Sequence, residues 1–221
     1  MRKSAFLDLL ILAAVFWSVW SLRFVGVGNI GLWSMLAGVA AGVALLLMRG
    51  ESFRDIGLRV EGGWGWTLSR VGEVGFLVFV LGFGSIGLVT ALGMPPTTSV
   101  ALTEQPDTLP LFLLDLLFGV WLGAAIGEEM FFRGFLISKF RTLFGGERGG
   151  LFATCLALLA QAAWFGSGHA SQGLGGMIAT GVIGLGLGVY FLTRARGSLI
   201  PMIIGHGLVN TISQTAYFFQ N

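Results

Sequence analysis

Seven apolar stretches, at residues 5–22, 30–48, 74–92, 111–138, 151–168, 173–192 and 199–219, run through this chain. Each is close to or above the roughly 20 residues that a helix needs to cross hydrocarbon. Little else in the sequence restricts the fold so severely. The expected class is all-α, a polytopic membrane bundle of about seven transmembrane helices. Composition agrees, with 55% hydrophobic and 11% charged residues. A soluble domain of this length needs more charge to cover its surface. Most of the 36 glycines fall inside the apolar runs, where small residues let helices approach closely.

The charges give an orientation. With the N-terminus inside, eleven of the thirteen lysines and arginines lie in inside segments. Only Arg23 lies outside, and Arg133 lies within the fourth span. Such a bias is what the positive-inside rule demands, and it places the C-terminus outside. The opening Met-Arg-Lys followed by Ala5–Leu22 resembles a signal peptide, but the run is too long and no small-x-small site follows. A retained first helix is expected. Residues 49–73 are basic and carry Trp64 and Trp66, as suits a segment in the headgroup region. Residues 93–110, with Pro95, Pro96, Glu104 and Asp107, read as an outside loop. One membrane domain over 1–221 is the simplest partition, with accessory helices in 1–92 and a core in 111–219. Cys155 is the single cysteine, expected as a small core residue.

Polar groups that a bilayer should expel carry the most information about function. The fourth span contains Glu128, Glu129 and Arg133. A charge at the centre of a membrane helix costs roughly 2.5–3.5 kcal/mol on insertion scales. Glu129 and Arg133 stand i,i+4 with the acid first, the favourable order for an ion pair. Glu128 is left without a local partner, which suits a general base or proton shuttle. The only two histidines, His169 and His206, lie in the last three helices. His206 shares a helix face with Asn210, and Gly205 and Gly207 beside it admit another backbone. Glu128 and His206 both sit about 15 Å from the inner boundary at 1.5 Å per residue. His169 falls near the outer end of the fifth span, at a depth this count does not explain.

In these residues the sequence resembles the CPBP family of intramembrane endopeptidases, which includes CAAX prenyl proteases and bacterial relatives linked to bacteriocin processing and self-immunity. The family pattern Glu-Glu-x-x-x-Arg, Phe-x-x-x-His and His-x-x-x-Asn is met by Glu128, Glu129 and Arg133, by Phe165 and His169, and by His206 and Asn210. The resemblance covers residues 128–210. It implies proteolysis by activated water. Glu128 would be the base and His169 would hold the water. His206 and Asn210 would donate to the oxyanion, Glu129 and Arg133 would position Glu128, and Phe165 would support the site. No cofactor is expected. Zn²⁺ on Glu128, His169 and His206 is the disfavoured variant, because no His-Glu-x-x-His spacing is present and an arginine nearby opposes a cation.

Other classes fit less well. A serine protease would use Ser167, but leaves both glutamates and His169 without roles. A proton-coupled transporter or channel would use the same intramembrane ionisable groups, yet no inverted repeat is evident. A non-enzymatic immunity or scaffold protein would need none of them. The expected partners are the lipid bilayer and a membrane-bound or lipid-anchored peptide substrate, reached from the basic side, with no nucleic acid. A bacterial cytoplasmic membrane is the expected location.

Overall fold

The computed structural model describes residues 2–94, 106–145 and 150–220. Pro95, Pro96, Glu104 and Arg148 lie outside the described residues. Seven helices account for nearly everything else. They are α1 (Arg2–Ser21), α2 (Ile30–Met48), α3 (Gly63–Ala91), α4 (Leu109–Gly145), α5 (Leu151–Gly168), α6 (Gly173–Thr193) and α7 (Ile200–Phe218). Six are long and apolar enough to cross a membrane. The exception is α7, which has the length but carries His206, Asn210, Thr211, Ser213, Gln214 and Thr215. Many large apolar side chains, such as Leu7, Leu10, Phe76, Phe79, Phe83, Leu117 and Ile212, point outward. In water such a surface would aggregate, whereas in a bilayer it faces lipid. The chain is a multi-pass membrane protein.

Three expectations need correction. The third helix begins at Gly63, not near residue 74, so Trp64 and Trp66 are helical. Cys155 is exposed on the outer face of α5; its helix turns Ala153 and Ala157 inward instead. The fourth helix is not a plain α-helix. Its middle, Leu116–Leu136, is π-helical. A helix closing i→i+5 bonds holds more residues per turn than 3.6. Positions four or five apart therefore stay on one face, and Asp115, Gly119, Gly123, Ala124, Glu128 and Phe132 form one stripe along α4.

The basic segments meet at one end of the bundle. There Asp8 of α1, almost fully buried, is bonded bidentately by Arg49 at the end of α2. Lys139 of α4 lies 3.3 Å from Asp8 and 3.1 Å from Glu51. Glu73 of α3 accepts from Arg194 at 3.1 Å and from the Tyr190 hydroxyl of α6 at 2.8 Å. The α2–α3 link then straps the start of α7. The Leu199 amide donates to Gly57 O at 2.7 Å, and Ser198 Oγ donates to Arg59 O at 2.6 Å. Gly57 has φ +94°, and a Cβ there would sit 2.3 Å from Gly197 O, so only glycine fits.

The opposite end is aromatic. Phe16, Trp17 and Trp164 pack together, and Phe112 stacks on Phe218 at 4.2 Å. Between the ends, α2 receives α4 through its small-residue face. A Cβ on Gly38 or Gly42 would lie 2.7 Å or 2.5 Å from the rings of Phe131 and Phe135.

Asp8 belongs to the class of residue that flags function, an acid inside an apolar run, yet here it serves assembly. Asp8→Asn replaces the carboxylate that faces two cations by a neutral amide and is expected to destabilise the fold by about 1–3 kcal/mol. Thermal unfolding should shift down, and limited proteolysis should cut first near the α1–α2 hairpin. An unchanged midpoint would show that the network contributes nothing.

Candidate active site

Two clusters flank the middle of α4, and adjacent glutamates divide between them. Glu129 is fully buried. Its Oε1 accepts the His206 Nδ1–H of α7 at 2.9 Å and lies 3.3 Å from Arg133 Nη1. The expected Glu129–Arg133 ion pair is therefore present, one turn along the helix. The shared level of α4 and α7 also holds, although the partner of His206 is Glu129. Close approach comes from the glycines beside the histidine. A Cβ on Gly205 would meet Val71 O of α3 at 3.0 Å, and one on Gly207 would meet the Trp121 ring of α4 at 2.8 Å. Asn210 follows one turn later and is partly buried.

Glu128 faces the other way. It lines a cavity of about 510 Å³ together with His169, Phe132, Phe165, Met35 and Gln172. Among the described residues no ion pair to Glu128 occurs. The His169 ring folds back so that Nδ1–H donates to Phe165 O at 2.8 Å. This hydrogen bond fixes the ring orientation and leaves Nε2 free. The short turn Ala170–Gln172 after α5 directs the chain back over the cavity. His169 thus shares a cavity with Glu128 although it stands at a helix end. His206 and Asn210 are not on this cavity's wall.

Phe165 joins the two clusters. Its ring lies 4.9 Å from the Arg133 guanidinium carbon and 4.9 Å from the His169 ring, and meets Phe132 edge-on at 4.8 Å. The ring thus touches both a buried cation and the cavity imidazole.

Trp20, Arg23, Asn29 and Gln172 line the same cavity as Glu128, and these sit at the aromatic end, away from Arg49, Lys139 and Arg194. The stripe on α4 turns Glu128 toward the gap between α1 and α2. Asp115 also lines this cavity and escaped sequence reasoning, because it stands near a helix end where an acid attracts no notice.

One alternative loses ground here. Ser167 Oγ donates to Trp164 O at 2.7 Å and is not on the cavity wall. Among the described residues no three His, Cys, Asp or Glu side chains converge.

A multi-pass helix bundle that buries a carboxylate, a guanidinium and an imidazole, with a second carboxylate and imidazole in a cavity beside them, has the parts of an intramembrane hydrolase. Residues 109–212 match the family model described as type II CAAX prenyl endopeptidase Rce1-like, and this segment is similar to that family. The match starts at the beginning of α4 and ends within α7, so it takes in both clusters. No curated protein and no solved structure gives a significant match.

Proposed function

We propose that the chain is an endopeptidase of the glutamate type, cleaving a membrane-associated peptide. One observation carries this reading: Glu128 and His169 line one cavity while Glu129 is occupied by Arg133 and His206. A free carboxylate and a free imidazole nitrogen can together hold a water. Glu128 accepts its proton as the oxygen attacks the scissile carbonyl, and later returns a proton to the leaving amine. His169, anchored through Nδ1, offers Nε2 to the same water. Developing negative charge on the carbonyl oxygen needs donors. By resemblance these would be His206 and Asn210, which stand off the wall of the Glu128 cavity, so the assignment requires that wall to open toward α7 when substrate binds. Glu129 holds the His206 ring, and Arg133 holds Glu129.

The cavity wall of Phe16, Trp20, Leu32, Met35 and Phe132 favours apolar groups next to the scissile bond. A peptide already in the bilayer meets this wall without leaving lipid. A bacterial cytoplasmic membrane remains the proposed location.

Trapping tests the reading. Cells expressing Glu128→Gln should accumulate uncleaved membrane peptides that mass spectrometry finds shortened in the wild type. No difference between the two peptide pools would end the proposal. Metal-free hydrolysis makes a further prediction. A membrane-permeant chelator should leave cleavage by the purified protein unchanged. Loss of activity that Zn²⁺ restores would assign the water to a metal instead.

A further inference from the structure

The arginine-rich end holds a second cavity, of about 480 Å³, on the far side of Arg133 from the Glu128 cavity. Arg59, Arg133, Arg141 and Arg196 line it, with the hydroxyls of Ser138 and Thr142. Asp55 is the one carboxylate on the wall, and its Oδ2 accepts from the Ser52 amide and hydroxyl at 2.7 and 2.8 Å. Arg59 is already occupied by Glu61, Arg54 O and Arg196 O.

Two of the remaining guanidiniums are not satisfied. Arg133 is fully buried, and its Nε, Nη1 and Nη2 lack hydrogen-bond partners, the 3.3 Å ionic contact to Glu129 aside. Arg141 Nε is buried and equally without a partner. Buried donors left unpaired are expensive, and charged ones more so. A guanidinium offers five N–H groups in a rigid fork that matches a tetrahedral oxyanion. Two such forks and two hydroxyls around one cavity complement a group with several acceptor oxygens.

We propose that this cavity binds a phosphate-bearing anion, held by Arg133, Arg141 and Arg196. Both lipid headgroups and soluble phosphates carry that chemistry. Binding would satisfy Arg133 from the side opposite Glu129, so occupancy is felt in the buried cluster. The proposal stands whether or not the chain is a protease.

Binding is measured on the full chain, purified in an uncharged detergent, as the shift in thermal unfolding at fixed ionic strength. The probes are short-chain phosphatidylglycerol, short-chain phosphatidylcholine and inorganic phosphate. Phosphatidylglycerol is expected to raise the midpoint saturably, and phosphatidylcholine to raise it far less. A matching rise with inorganic phosphate assigns the site to phosphate anions generally, while a rise with phosphatidylglycerol alone assigns it to a lipid headgroup. Arg141→Ala with Arg196→Ala should weaken binding at least about tenfold, since charge-assisted hydrogen bonds are lost. Arg54→Ala removes an exposed charge from the same end without touching the cavity wall, and should bind as the wild type does. If the double variant fails to fold, Arg196→Gln at an exposed position carries the comparison, with weaker binding expected. The proposal is overturned if no anion shifts the midpoint, or if Arg54→Ala weakens binding as much as the cavity variants.

Discussion

Glutamine at position 128 should lower peptide cleavage by about 10²–10⁴-fold, the usual contribution of a general base, and leave thermal stability where it was. Shape is kept and the proton acceptor is lost. Stability should hold because no ion pair to Glu128 occurs among the described residues, so nothing is left unpaired. The measurement pairs cleavage of a trapped natural peptide with an unfolding curve. Full activity in Glu128→Gln would sink the mechanism, and loss of activity in Ser167→Ala alongside it would move the chemistry to a serine.

Glu129→Gln should behave in the opposite way. The substitution leaves Arg133 charged and fully buried, and replaces the charged acceptor of His206 by a neutral amide oxygen. Breaking a buried pair by deleting one partner costs about 3–5 kcal/mol, and lipid offers no water to repair it. The protein should melt earlier or fail to accumulate. Activity per folded molecule should fall as well, since a neutral amide holds the His206 ring more weakly than a carboxylate. A second variant separates the two effects. Glu129→Leu with Arg133→Met replaces the pair by apolar groups and should recover most of the stability, while cleavage stays low. A Glu129→Gln protein as stable as the wild type would mean that the pair is not buried as described.

The contrast between neighbouring glutamates shows what a sequence can yield. The i,i+4 spacing was enough to give Arg133 to Glu129, because that pair is made within one helix. The link from Glu129 to His206 crosses 77 residues, and no local rule specifies it. Hydropathy located seven helices, and two of them, Ile30–Met48 and Leu151–Gly168, at the expected bounds. It missed the start of α3, because Trp64, Trp66 and Arg70 read equally well as a headgroup segment or as the interfacial turns of a helix. It could not reveal the π winding of α4, since apolar residues on every side leave little periodicity to measure. That winding turns Glu128 toward the α1–α2 gap. Asp8 was legible by the test applied to Glu128 but has a structural role, which only its cationic partners disclose.

The contact between Arg133 and Phe165 has an electrical meaning. Arg133 lines the cavity at one end and Phe165 the cavity at the other, and they lie 4.9 Å apart. When both cavities fill with water, the insulating layer at this point shrinks from the roughly 30 Å of a bilayer to little more than one aromatic ring. The membrane voltage then falls across that ring. A charge crossing the full potential changes energy by about 2.3 kcal/mol per 100 mV, and Arg133 and Glu129 sit where the drop is steepest. Water in both cavities would thus leave the Phe165 ring among the few groups that separate them.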